Sequence, residues 1–289
     1  MNPSVLPRGV RSRRAARCLL LAASLVGLPA CGGGGDGPTV AHLEVGGKGG
    51  DVLLRGPSSI KGGLVELELQ NTSDERRDAQ IVRVEGKHST EEFLKVIQSE
   101  GGPIPNWIQD GGGVPQVDPG QTGTSIQNLA TGNYFVFSGP EGDGQPARTE
   151  LEVKDGGRPG PLPKASAEIV ARDYAFDVNG LKAGKNKVLF KNAGTELHHA
   201  VGAPLRPGKT VDDVTKFARA MSRGARPSGP PPFDEKGGFS TAVIDGGVEQ
   251  VIDLDVKRPG RYVIMCFITD RKGGPPHIMK GMIKEIEVK

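Results

Sequence analysis

The stretch Leu64-Val65-Glu66-Leu67-Glu68-Leu69-Gln70-Asn71 alternates apolar and polar residues and stops at Asn. Residues 186–192 (NKVLFKN) do the same. A period of two marks a strand with one buried face, and the Asn marks the turn after it. A second extended run follows each, at 80–84 and 199–205. Next come Gly86-Lys87 before 90–97 (TEEFLKVI) and Gly208-Lys209 before 211–220 (VDDVTKFARA). Both read as short helices, because acids in the first turn complement the helix dipole. A Pro-rich loop and a Gly-Gly turn are expected next in both. Each series closes with a Gly-x-Tyr strand, 132–138 (GNYFVFS) and 260–266 (GRYVIMC), and a last strand, 149–154 and 283–288.

One order of features therefore occurs twice. The expected architecture is all-β, with two tandem β-sandwich domains that each carry a short inserted helix. The 289 residues suit two domains, and 44 Gly with 23 Pro suit many short strands joined by turns. The predicted boundaries are 38–154 for the first domain and 167–289 for the second. Residues 155–166 (DGGRPGPLPKAS) read as the linker between them.

The N-terminus follows a different pattern. Arg8, Arg11, Arg13, Arg14 and Arg17 precede an apolar run, 18–28, of eleven residues. That length suits a cleaved signal and is too short to span a bilayer. Leu28-Pro29-Ala30-Cys31 resembles the bacterial lipobox, although Pro29 departs from the usual residue there. The resemblance implies a signal peptide over 1–30 and lipid on Cys31, hence an extracytoplasmic protein anchored to a bacterial cell membrane. Residues 31–37 (CGGGGDG) read as a flexible tether. Losing five Arg and no acid with the signal takes the net charge from +3 to −2. That balance gives no electrostatic footprint for nucleic acid. Of the three Cys, only Cys266 would then remain as a thiol, so no intrachain disulfide is expected.

The repeat locates the chemistry by subtraction. Ser138 stands where the second copy has Cys266, and Ala147, after Pro146, stands near the place of His277, after Pro276. Arg76, Arg77 and Asp78 precede the strand that His198 and His199 precede in the second copy. The series Asn192-Ala193-Gly194, a His pair, a Gly-x-Tyr strand ending in Cys, and His-x4-Met resembles the cupredoxins, the blue-copper superfamily. The resemblance implies Greek-key sandwiches and one type 1 copper ion in the second domain. Its ligands would be His198, Cys266, His277 and Met282, with His199 as the alternative to His198. Thiolate, imidazoles and a weak thioether together suit an ion that alternates between +1 and +2. Zinc is the competing metal for a Cys/His set. Strand neighbours point to opposite faces, so only one of His198 and His199 can face the ion. The favoured reading makes His198 the ligand.

No nucleophile–base arrangement, phosphate-binding loop or carboxylate pair stands out, and five His are too few for a multicopper enzyme. The expected function is single-electron carriage, not catalysis, with an unidentified redox-partner protein. The alternatives are a copper storage or delivery protein and a non-catalytic interaction module.

Overall fold

The computed structural model describes residues 37–48, 52–99, 101–139, 146–225 and 227–289. The expected signal peptide, Cys31 and nearly all of the expected tether lie outside the described residues. Among the described residues, the first half contains nine strands and one helix. They are β1 (Thr39–Gly46), β2 (Leu53–Arg55), β3 (Ser59–Lys61), β4 (Gly63–Asn71), β5 (Arg77–Val84), α1 (Thr90–Ile97), β6 (Ile108–Val117), β7 (Thr122–Leu129), β8 (Gly132–Ser138) and β9 (Ala147–Lys154). The second half contains β10 (Ala167–Arg172), β11 (Ala175–Asn179), β12 (Gly184–Asn192), β13 (Val201–Pro204), α2 (Val211–Ser222), β14 (Phe239–Ser240), β15 (Glu249–Val256), β16 (Gly260–Met265) and β17 (Ile283–Val288). Among the described residues no helix is long and apolar enough to cross a membrane.

Each half is a sandwich of two sheets, and the chain crosses between them several times. The first half packs β2-β1-β4-β7 against β3-β9-β8-β5-β6. The second packs β11-β10-β12-β15 against β14-β13-β16-β17. In both, the first strand runs parallel to the long alternating one, β1 beside β4 and β10 beside β12. The alternation seen in sequence is the burial pattern. In β4, Val65, Leu67 and Leu69 are buried in one core, and in β12, Val188 and Phe190 are buried in the other.

The helices form where their caps and apolar faces agree. Ser89 and Glu92 make a capping box at α1, and Thr210 and Asp213 make one at α2. Phe93 of α1 packs on Val82, Val84, Ile108 and Phe135, covering the outer face of the first sandwich. Val214 of α2 does the same with Ala203, Val263, Met265 and Ile278. β5, β13 and their neighbours are thus buried on both faces.

Two features correct or extend the expectations. Residues 111–113, expected as a Gly-Gly turn, lie within β6. Close approach explains the glycines. A Cβ on Gly111 would stand 2.4 Å from the Val243 carbonyl oxygen of the second half. Gly113 has φ +133, and its Cβ would stand 1.9 Å from the Ala79 oxygen. The second feature is a seam. β7 pairs antiparallel with β15, through Gln127–Gln250, Ile126–Val251 and Ser125–Ile252. This joins one sheet of each half into a single eight-stranded sheet. The Gln80 amide crosses the same boundary, donating to the Val243 C=O and accepting its N–H. Residues 155–166 run between β9 and β10 and lie along the first half. Leu64 N–H donates to the Arg158 C=O, and Gly160 exchanges two hydrogen bonds with the Asn128 side chain.

Candidate metal centre

The repeat extends to single hydrogen bonds. Asn71 and Asn192 each end the long strand and donate to a carbonyl four residues on, Glu75 and Glu196. Each also donates across to the opposite strand region, to Val117 and Ile244. Tyr134 and Tyr262 each donate their hydroxyl to a carbonyl four residues back, Ala130 and Arg258. With these anchors superposed, Arg77 takes the place of His198, Asp78 that of His199, and Ser138 that of Cys266. Ala147 pairs with Ser138, and Met282 accepts the Cys266 N–H, so Ala147 is the counterpart of Met282. The sequence comparison with His277 is therefore corrected. A loop closing on the last strand hides such a shift, because only strand register fixes equivalence.

Four backbone ties place the candidate ligands at one end of the second sandwich. His198 exchanges both backbone hydrogen bonds with Ile244 just before β13. Cys266 follows β16, and its C=O accepts the Ile278 N–H at 2.8 Å. His277 opens a 3-10 turn, His277–Lys280, whose Ile278 packs beneath α2. Met282 N–H donates back to the His277 C=O at 3.0 Å.

The side chains of His198, Cys266 and His277 converge. The two Nδ1 atoms lie 3.1 Å apart, and Cys266 Sγ lies 3.9 Å from His198 Nδ1 and 3.6 Å from His277 Nδ1. All three residues are 0% exposed. Met282 is also fully buried, in the same core cluster as Cys266. His199 points elsewhere. Its Nε2 accepts the Phe267 N–H at 2.9 Å, and its ring lines a cavity between the halves. His42 is exposed beside Glu68, and His88 stacks on Trp107 at 4.0 Å.

Two carboxylates orient the imidazoles, and sequence reasoning did not find them. His198 Nε2 meets Asp173 Oδ1 at 3.1 Å, and His277 Nε2 meets Asp270 Oδ1 at 3.0 Å. Burial pushes the Asp173 carboxyl up, but hydrogen bonds from Glu196, Thr195 and His198 outweigh it and hold the group at about 2. Asp270 is likewise lowered, as Lys280, Tyr174 and His277 overcome its partial burial. Tyr174 has φ 67, uncommon for a bulky residue. The strain sits where its ring meets His277 edge-on at 5.3 Å and its hydroxyl donates to Asp270. Asp173 and Tyr174 form the β10–β11 turn, and turn residues that act through space leave no periodic signal.

These contacts decide what the cluster can hold. An ionised carboxylate only accepts, so each Nε2 carries the proton and each Nδ1 turns a lone pair inward. Burial lowers both imidazole pKa values, with partial offset from Asp173 and Asp270, which favours the neutral rings. Burial pushes the Cys266 thiol up to about 11. Two lone pairs and a sulfur within 3.9 Å, dry and oriented from outside, fit a soft or borderline cation. Among the described residues this is the one close group of three or more His, Cys, Asp or Glu that is buried throughout.

No family model matches the chain, and no curated protein matches it. Solved structures are similar to it. Dithionite-reduced auracyanin from the photosynthetic bacterium Roseiflexus castenholzii is 22% identical, covers 42% of this chain and 94% of its own, and has TM-score 0.28. Auracyanin A, a "blue" copper protein from Chloroflexus aurantiacus, is 18% identical over 40% of this chain and 99% of its own, with TM-score 0.28. Copper nitrite reductase from Nitrosomonas europaea is 14% identical over 86% and 93%, with TM-score 0.22. A "blue" copper protein and a copper nitrite reductase thus stand side by side among the similar structures. What the second half can hold is set by its own donor set, two inward imidazole nitrogens and a thiol.

Proposed function

We propose that the second half binds one copper ion between His198 Nδ1, His277 Nδ1 and Cys266 Sγ, with Met282 as the weak fourth donor. We propose further that the protein carries single electrons at the outer face of a bacterial membrane, held there by lipid on Cys31. The observation that carries the metal reading is the pair of inward Nδ1 lone pairs at 3.1 Å, each fixed by a carboxylate on the other side of its ring. Bound copper would supply one-electron exchange between its +1 and +2 states.

The chain's own residues do the rest. Asp173 and Asp270 lock the tautomers and ring planes. The cores around Ala200, Phe239, Ile264 and Met282 exclude water. Cys266 must release its proton on binding, against burial that favours the thiol, so affinity should rise with pH. Strands on either side hold the donors fixed, which suits electron exchange without rearrangement. His198 and Cys266 belong to segments buried on both faces, so the donors have no slack to follow a change of geometry.

The test is an absorption and EPR titration of the mature protein with Cu(II). One equivalent should produce an intense thiolate-to-copper band that bleaches reversibly on reduction. Colourless tight Cu(I) binding with no stable Cu(II) form would favour storage or delivery. Absence of binding would sink the metal reading.

A further inference from the structure

The loop from Cys266 to His277 has ten intervening residues, and the first half holds it. Ile104 N–H donates to the Arg271 C=O at 2.8 Å, and Gly274 N–H donates to the Gly101 C=O at 3.1 Å. Gly273 has φ +81, and a Cβ there would stand 2.7 Å from the Gly101 oxygen. The two loops therefore meet backbone to backbone.

Arg271 is the centre of this meeting. Its Nη1 donates to the Ile108 C=O at 3.1 Å and the Pro105 C=O at 3.4 Å, both in the first half. Its Nη2 donates to Asp245 Oδ2, and its own N–H donates to Glu196 Oε2 at 2.7 Å. The guanidinium is 19% exposed and the Asp245 side chain 16%, so these bonds form largely away from water. A planar fork satisfies two carbonyls and a carboxylate at once, which an ammonium cannot do in the same geometry.

The position of Arg271 along the chain gives these contacts their consequence. It directly follows Asp270, which orients His277. Its N–H holds Glu196, whose own N–H donates to Asp173 Oδ1 at 3.1 Å, and Asp173 orients His198. Both carboxylates behind the imidazoles are thus one residue or two hydrogen bonds away from Arg271. We propose that Arg271 is a positioning residue through which residues 101–108 of the first half set the orientation of both imidazoles. The first half would then belong to the metal centre's outer shell without supplying a ligand.

The spectroscopic part of the test rests on the copper reading, and the exchange part does not. Three variants of the mature full chain are compared with the parent. Arg271→Gln removes the fork, Arg271→Lys keeps a charge near Asp245, and Ile104→Pro removes one donor from a segment already flanked by Pro103 and Pro105. Loaded with Cu(II), Arg271→Gln should bind about tenfold to a hundredfold more weakly, as expected when outer-shell partners are lost. Its charge-transfer band and midpoint potential should shift as well. Arg271→Lys should recover the thermal midpoint but not the band or the potential. Ile104→Pro should move both in the direction of Arg271→Gln. In the metal-free protein, hydrogen exchange at the Gly274 and His277 amides should speed up at least about tenfold in Arg271→Gln, since each loses the closure that protects it. Parent-like band, potential and exchange in Arg271→Gln would overturn the proposal. So would full recovery of all three by Arg271→Lys, which would reduce the role to neutralising Asp245. If the parent binds no copper, accelerated exchange still supports the clamp and unchanged exchange still refutes it.

Discussion

Arg77 and His198 occupy equivalent places six residues beyond Asn71 and Asn192, and they show two ways to fill one hole. In the second half the space faces His277 and Cys266, and two carboxylates behind the rings prepare a cation site. In the first half a guanidinium fills it. Arg77 is 3% exposed, donates to the Gly139 C=O at 3.1 Å and pairs with Glu75 at 2.8 Å. The protein supplies its own positive charge where the other half presents donors. Beside it, Ser138 replaces the thiol and Ala147 replaces the thioether. The scaffold is indifferent to this choice, since the Asn and Tyr anchors and a capped helix recur in both halves. On the proposed reading, metal binding is therefore a property of four side chains and their carboxylate supports, set on a frame that the first half builds without them.

The comparison can be broken most sharply at the thiol. Cys266→Ser gives the second half the residue of the first, and His277→Ala removes an inward lone pair. Either should abolish the visible band entirely, and His198→Ala should do the same. Metal analysis of the parent should give one copper per chain, and a second tight site in the first half would contradict the substitution of Arg77 for a ligand.

A smaller effect tests whether the guanidinium is structural. Arg77→Ala should destabilise the protein by about 2 to 3 kcal/mol, because the Gly139 carbonyl loses its donor and a buried space opens. Urea unfolding measures it, and copper binding should be unaffected. A loss below about 0.5 kcal/mol, the level of an ordinary surface change, would show that the first half does not depend on a charge there.

Next in size is a pH effect at Asp78, the counterpart of His199. Burial raises its carboxyl from 3.8 to about 6, only partly offset by the Gly139 N–H and Arg77. The unfolded chain gives up this proton first, so stability should fall as pH rises through that interval and level off above it. The drop should be on the order of 2 kcal/mol, reduced by the partial solvent access of the side chain. Thermal midpoints of the parent and Asp78→Asn across this range check it. A parallel pair of curves would reject the assignment.

The smallest change is expected at His199. Its ring only accepts the Phe267 N–H, so His199→Ala should keep the blue band with a slight shift. Stability should fall by about 1 kcal/mol, the worth of one hydrogen bond. Loss of the band would place the wrong imidazole at the metal.

The pattern of residues was enough to determine much of this. A period of two marked β4 and β12, since each buries one face. The helix spans were legible because their caps and acidic first turns are local. The convergence of His198, Cys266 and His277 was legible too, because the first two flank neighbouring strands and His277 lies on the loop leading to the last strand. Other features required the tertiary structure. His198 and His199 could not be separated by polarity, as α2 covers the outer face of β13 and makes both faces apolar. β6 was hidden because its three glycines answer to neighbours, Val243, Gln127 and Ala79, and not to any period of their own. The β7–β15 ladder itself pairs backbone groups, which every residue carries alike. Asp173 and Arg271 act by hydrogen bonds between segments distant in the chain, and Asp270 acts across its own aperiodic loop. Sequence patterns report what a residue buries along its own strand. Which acceptor lies behind an imidazole depends on where separate segments meet, and only the folded chain decides that.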